Sequence, residues 1–458
     1  MGSNDAPDFI VLGAGPAGLM FARTATEQGR RVLVLEGAEV AGGMSKSISF
    51  ASGTVDLGPH AIGTGLPRVR EMFDSVLGGE FDRFQIRTGM LWDGQVYSYP
   101  PTLSELLKQR GVRYCLRAAA SLCLGRMSPG LRKPVSCIET SAKCYGRVLV
   151  DDCLRPYLLR LWGDELDRVH PSWKPGRFNT GGVLSWISHL IRGTGDVRIL
   201  HPTRGMGDLY TRLAEHIQSM GCVIETCQRV ERIAHDGERI ECLVVRDARA
   251  DQAREIDCRH SAVVSTLPVP ALLGILDPEL PSDPHSTESS LEFRNTIVCY
   301  FAADEASVPA RHILYLNDQS FYSGRFTNYN MWGKSMRPTA DGRAIISFEF
   351  WLATDEFSNA RDERLIAAAR ADAQRLGIRI QTQAEPRVVR IPRSHPVLTN
   401  ESEKAMRALN QRLSCFGNIH LTGRAGSFTY ADQDVILNRA CELALELTRD
   451  HQRSSTDQ

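Results

Sequence analysis

Residues 9–18, FIVLGAGPAG, decide the fold of this chain. Phe9–Leu12 reads as a short buried strand that stops abruptly at glycine. From Pro16 to Gln28 the pattern is helical, and Gly29 ends it in the usual C-terminal position. A second apolar strand, Val32–Leu35, then runs into Glu36. Strand, turn, helix and strand make a βαβ unit, for which a right-handed crossover is expected. Gly13 permits the tight turn, Gly15 clears a side chain where backbone approaches a pyrophosphate, and Gly18 lets helix and strand pack closely. Pro16 and Ala17 open the helix, whose N-terminal N–H groups face the phosphates. Glu36 stands where a carboxylate accepts from both hydroxyls of a ribose and would repel a 2′-phosphate. The unit is a Rossmann-like dinucleotide fold that disfavours NADP.

Two further segments favour FAD over NAD. Gly42-Gly43-Met44 follows Glu36 closely and suits backbone laid against a pyrophosphate and a flavin ring. Late in the chain, Leu421-Thr422-Gly423-Arg424 is a strand end followed by glycine and an arginine suited to a paired phosphate contact.

The 458 residues allow a large core and more than one packed unit. Net charge is +0, so no overall field points to nucleic acid. No apolar run is long enough to cross a bilayer, and MGSNDAPDF lacks the basic and apolar character of a secretory leader. The 12 cysteines show no CxxC and no Cys/His pairing, so neither metal nor redox pairs are expected, and free thiols fit a reducing cytoplasm.

Signals of the dinucleotide fold return later: a helix over 203–220, a strand at 222–226, a hairpin of 230–234 with 240–245, and a strand at Ala262–Ser265. Alternation at 296–301 and 344–351 predicts an antiparallel sheet, with a helix near 363–376. Ile419–Leu421 precedes a final helix over 435–447 and a polar tail. The predicted class is α/β: an FAD-binding domain of the GR2 type, discontinuous over 1–62, 200–270 and 400–450. An interleaved α+β substrate domain is formed by 63–199 (helical and mixed) and 271–399 (antiparallel sheet), and 451–458 is expected to be a flexible tail. Between them the two parts leave a pocket at their interface.

From end to end the chain resembles the flavin amine oxidase and protoporphyrinogen oxidase superfamily, and more narrowly its UDP-galactopyranose mutase branch. The resemblance rests on GAGPAG with LEGAEVAGGMSKS, on VDLGPHAIGTG (55–65), and on IRTGMLWDGQVYSYPP (86–101). It continues through LRPYLLRLWGDELDRVHPSW (154–173), HPTRGMGDL, VVSTLPVPALL, FYSGRFTNYNMW (321–332) and GRAGSFTYADQD (423–434). It implies non-covalent FAD, with NAD(P)H as a candidate external reductant. It also implies isomerisation of a nucleotide-sugar between pyranose and furanose through attack of reduced flavin N5 at the anomeric carbon. The alternative within the superfamily is an oxidase or dehydrogenase acting on an alcohol, an amine or a ring C–C bond.

By position, the resemblance sets Gly58 and His60 beside the flavin, Arg424 on the pyrophosphate, and Gln433 and Asp434 near the flavin edge. Val230 is assigned to the cofactor side. Arg325, with His60 a candidate catalytic residue, is expected to face the substrate together with Asn328 and Tyr329, and Trp162 to line the sugar pocket. Phe428 and Asp432 stand where the eukaryotic mutases have a diphosphate-binding tyrosine and an asparagine. Tyr430 is two positions from that tyrosine and is expected to point elsewhere, though it stays among the candidate substrate contacts. Trp92, Tyr97 and Tyr99 suit either base stacking or the packed face of a strand. His60 suits either a flavin contact or a turn cap. Between Leu106 and Ile138 there is no acid, while Lys108, Arg110, Arg113, Arg117, Arg126, Arg132 and Lys133 recur. A solvated helix pair, a basic wall for a diphosphate and a membrane-facing surface all fit that pattern.

Overall fold

Five short apolar strands from distant parts of the sequence form one parallel sheet in the order Val223–Glu225, Val32–Leu35, Phe9–Leu12, Ala262–Ser265, Ile419–Leu421. The computed structural model describes residues 6–63, 65–127, 134–173, 198–280, 288–333, 336–337 and 342–456. Phe9–Leu12 is buried along its whole length because both sheet faces are covered. Phe9 and Val11 pack with helices Pro16–Glu27, Met206–Ser219 and Gln433–Thr456. Ile10 and Leu12 meet the other layer, a four-stranded sheet (228–235, 240–247, 252–257, 276–277) and helix Asn400–Leu413. This alternation is the two-residue period of a strand expressed as two hydrophobic layers.

The second large element is a seven-stranded sheet in the order Arg387–Pro396, Phe293–Asp304, Arg343–Leu352, Arg325–Asn328, Ile313–Leu316, Thr88–Trp92, Gln95–Ser98. All its pairings are antiparallel except that of Ile313–Leu316 with Thr88–Trp92. The early hairpin is thus built into the same sheet as the 293–396 strands. Helices at 103–127, 137–145 and 155–162 pack over its end around Trp162, Leu158 and Tyr97.

The final helix spans Gln433–Thr456. Its apolar residues Ile436, Leu437, Ala440 and Ala444 dock on the parallel-sheet domain, and the backbone hydrogen bonding continues past the last anchored turn. Helix 103–127 breaks at Gly111, which is non-helical at φ 80°. Among the described residues no disulfide, no cluster of metal-ligating side chains and no helix able to cross a membrane occurs. Trp186, Arg132 and Lys133 lie outside the described residues.

Candidate functional site

The Gly-rich turn is held open by backbone rather than by side chains. Gly13 has φ +104°, and a Cβ there would sit 2.4 Å from Thr266 Oγ1. A Cβ on Gly18 would lie 2.0 Å from the Gly13 carbonyl oxygen, and one on Gly43 would lie 3.1 Å from the Gly15 Cα. The helix that Pro16 opens has Gly15 as N-cap, no side-chain cap and no acid in its first turn, so its N-terminal N–H groups are unopposed by protein charge. Glu36 accepts from Ala14 N (2.7 Å) and Ala38 N (2.9 Å), and Gly42 N donates to Ala14 O (2.8 Å). The Gly42-Gly43-Met44 loop is thereby stitched to the turn. Gly423, at φ +83°, brings the late segment within van der Waals reach of Ala17, where its own Cβ would stand 3.2 Å from the alanine Cβ. A dinucleotide fits this cradle, because three chain segments converge where added methyl groups would fill the space. Val230 lies in the strand whose Gln228 N donates to Glu36 O.

Met44 leads into the second half of the site. His60 donates from Nε2 to Met44 O at 3.1 Å, since a carbonyl can only accept, and Nδ1 is therefore the bare nitrogen. Burial holds its pKa below the usual histidine value, and Arg424 and Arg325 act in the same direction against Asp56. The Asp56–Gly58 loop is clamped from below. Tyr300 OH (2.7 Å) and Tyr329 OH (3.1 Å) both donate to Asp56 O, Gly58 N donates to Tyr300 OH, and the Asp56 carboxylate meets His201 at 3.0 Å.

Above that loop, neighbouring strands set Tyr315, Arg325 and Glu349 side by side in register. Arg325 binds Glu349 as a fork, Nε to Oε1 at 2.9 Å and Nη2 to Oε2 at 2.5 Å. Burial opposes the guanidinium charge, but the Glu349 carboxylate outweighs it and raises the pKa of Arg325 above its usual value. A Cβ on Gly58 would meet Glu349 at 3.6 Å and Arg325 at 3.8 Å, which places the pair directly against the His60 loop. Trp351, two residues from Glu349 on the same face, lies under Arg325 at 5.5 Å. Tyr157, Tyr315 and Tyr99 pack ring to ring beside it, with Tyr157 at 4.7 Å from Tyr315 and 5.9 Å from Trp351. Burial keeps the Tyr157 and Tyr430 phenols protonated well into the alkaline range.

The last wall comes from the late segment. Tyr430 contacts Trp162 (5.6 Å) and Trp173 (5.8 Å), stacks on His395 (5.6 Å), and is covered by Arg424, which donates to Ala431 O at 2.8 Å. Gln433 donates to Ser45 Oγ and Tyr210 OH, each at 2.7 Å, and its Oε1 is buried with no partner among the described residues. Asp434 abuts Gly63, where a Cβ would lie 2.6 Å from its Oδ2.

Of the residues singled out from the sequence, Met44, Gly58, His60, Tyr99, Trp162, Arg325, Arg424 and Tyr430 converge here. Tyr430 faces the aromatic cluster, contrary to the expectation that it points elsewhere. The residue in the mutase tyrosine position, Phe428, is instead the inward one: it is buried, packs edge-on to Phe293 at 5.1 Å and belongs to the core. Its backbone, at φ +45°, turns the chain between the two. Asn328 and Tyr329 are spent internally. Asn328 donates to Pro309 O and caps Asn330, while Tyr329 supports Asp56. Trp92 is roofed by Arg110 at 3.8 Å and packs on Tyr97 and Tyr114, away from the Arg325 constellation. Asp432 is exposed just ahead of the final helix. Glu349, Trp351, Tyr157, Tyr315 and His395 were not singled out. An open cleft of about 540 Å³ lined by Arg70, Arg83, Phe84, Gln85, Arg198 and Leu200 shares no residue with this constellation.

Residues 173–427, more than half of the chain, match the model of the flavin containing amine oxidoreductase family, and residues 11–76 match that of the NAD(P)-binding Rossmann-like domain. Among solved structures, a reduced UDP-galactopyranose mutase superposes with TM-score 0.79 at 18% identity, covering 96% of this chain and 93% of the other. A provisionally assigned protoporphyrinogen oxidase from Exiguobacterium sp. 255-15 gives 0.74 at 18%, covering 96% and 98%. Cyclohexylamine oxidase from Brevibacterium oxydans IH-35A gives 0.64 at 14%, covering 98% and 100%. No curated protein matches in sequence.

Proposed function

Since the chain belongs to the flavin containing amine oxidoreductase family, we propose that it is an FAD-dependent enzyme that isomerises a nucleotide-sugar between pyranose and furanose forms. Gly13, Gly15 and the first turn at Pro16–Gly18 would hold the pyrophosphate. Glu36 would hold the ribose, with Val230 on the same side, and Gly43, Met44, Gly423, Arg424, Gln433 and Asp434 would enclose the flavin half. When bound, the flavin supplies a ring nitrogen that accepts hydride when oxidised and is nucleophilic when reduced.

The observation that carries the reading is the company Arg325 keeps. Its Nε and Nη2 are committed to Glu349, its remaining Nη1 stands outside that fork, and the Tyr315 and Tyr157 phenols lie close enough to act on its charge. A buried cation with neutral hydroxyl donors around it, and its one close carboxylate already paired, suits a diphosphate ester and is poorly matched to an ammonium group. His60, neutral and fixed through Nε2, offers a hydrogen-bond acceptor where the sugar would lie.

The test is anaerobic flavin spectroscopy of the purified holoprotein, titrated with UDP-galactose and other nucleotide-sugars before and after dithionite reduction, with products separated by chromatography. An isomeric product formed only by reduced protein is expected. Flavin bleaching by an amine, alcohol or porphyrinogen, with stoichiometric peroxide in air, would overturn the isomerase in favour of an oxidase. The aromatic wall of Tyr99, Tyr157, Tyr315 and Trp351 favours that second reading for a flat apolar substrate.

A further inference from the structure

Helix 103–127 stands apart from the flavin site and is unusual in what it leaves uncovered. Beyond the break at Gly111, Val112, Leu116 and Leu124 expose 62, 65 and 67% of their surfaces. Ala119, Ala120 and Cys123 are exposed as well. At about 100° per residue these six positions form one stripe, with Arg113 and Arg117, both exposed, along one edge. The opposite side, through Tyr114, Cys115 and Leu122, packs on the protein. Large apolar side chains so far into solvent, grouped on one face of one helix, mark a surface that meets something else.

We propose that this face docks on an anionic lipid surface, the helix lying in the plane of the interface with its leucines among the acyl chains. Charge decides the occupant. No acid occurs between Leu106 and Ile138; of the acids on adjoining segments, Glu105 and Glu139 accept backbone N–H groups, Asp93 pairs with Arg110, and Asp151 with Arg147 and Arg155. If a second copy of the chain packed through the same patch, its arginines would meet arginines with no carboxylate from that part of the helix to pair them. Phospholipid headgroups supply the missing negative charge, and a stripe of Val, Leu and Ala edged by arginine is the pattern of a helix lying on a membrane. From Val112 the helix is about 24 Å long, and no described helix qualifies to span a bilayer.

Flavin-loaded full-length protein would be sedimented with vesicles of phosphatidylcholine alone and of phosphatidylcholine with 30% phosphatidylserine. Binding to the anionic vesicles is expected to exceed that to the neutral ones by about 10-fold. It should fall by a similar factor in Leu116→Glu/Leu124→Glu and in Arg113→Glu/Arg117→Glu, with flavin content unchanged in both. Equal partition to the two vesicle types, or wild-type binding by both variants, would overturn the proposal. A concentration-dependent dimer in sedimentation velocity that Leu116→Glu abolishes would overturn it in favour of a second copy.

Discussion

The two halves of the proposed site, one for the nucleotide and one for the substrate, are built on opposite principles. The nucleotide half is local: turn, helix start and Glu36 come from fewer than thirty consecutive residues, and each of its contacts has a main-chain group on at least one side. The substrate half is assembled from Gly58, Tyr157, Tyr315, Arg325, Glu349, His395 and Tyr430, each on a different element. A backbone cradle tolerates most side-chain changes and fails when a Cβ is added. A side-chain constellation tolerates Cβ changes and fails when one partner of a buried pair is removed.

The largest effect should therefore come from the substrate half. Arg325→Met leaves the Glu349 carboxylate, 1% exposed, without its cation. Breaking a buried pair from one side costs about 3–5 kcal/mol, and urea denaturation should read a loss of that order. Arg325→Met/Glu349→Leu should regain most of it while flavin remains bound. If the double variant is no more stable than the single one, Glu349 is not the liability described here. Second comes the cradle. Gly18→Val would press a side chain on the Gly13 carbonyl, and overpacking of about 1–3 kcal/mol corresponds to a drop in FAD affinity of about 5- to 150-fold. Bound flavin, read from its visible absorbance after desalting, should fall accordingly; full retention would show that the turn has another geometry.

These contrasts also explain what was legible in the sequence. Strands 9–12, 32–35, 262–265 and 419–421 and the helix at 16–27 stand where periodicity and glycine punctuation put them, because their determinants are local. The substrate half depends on register. Nothing nearby in sequence tells Arg325 that it lies opposite Glu349, or that the Thr88–Trp92 hairpin joins the same sheet. One signal was available: Glu349 is the lone charge in the apolar run 344–352, and a carboxylate there must find a cation. The turn of Phe428 into the core and of Tyr430 toward Trp162 and His395 was not readable, since it follows from a residue at positive φ. His395 is aimed by a strand irregularity, where the register shifts between Arg294 and Thr296, and irregularities of that kind leave no periodic trace.

A smaller effect separates Trp92 from the site. Arg110→Met removes the guanidinium that covers Trp92 and pairs with Asp93, at a cost of about 1 kcal/mol. Thermal unfolding should register it, while the flavin spectrum and the response to nucleotide-sugars stay as in the wild type. A changed flavin spectrum would bring Trp92 back into the substrate half.

The last effect is a slope. Burial, reinforced by nearby arginines, lowers the pKa of His60, and lowers that of His395 well below the usual value; the groups acting on His395 are Arg424, Arg325, Arg294 and His60 itself. Above about pH 6.5 both imidazoles are neutral in folded and unfolded chains alike, and they contribute nothing to the pH dependence. Below it the unfolded chain takes up protons that the folded chain refuses, so the unfolded state is favoured progressively as pH falls toward the folded pKa values. Each such group contributes at most about 1.4 kcal/mol per pH unit within that window. Stability from denaturant titrations between pH 7 and pH 5 should fall with acidification, and His395→Gln should flatten the fall without reversing it. A variant with the wild-type slope would mean that His395 is protonated in the folded protein, beside the guanidinium groups of Arg424, Arg325 and Arg294.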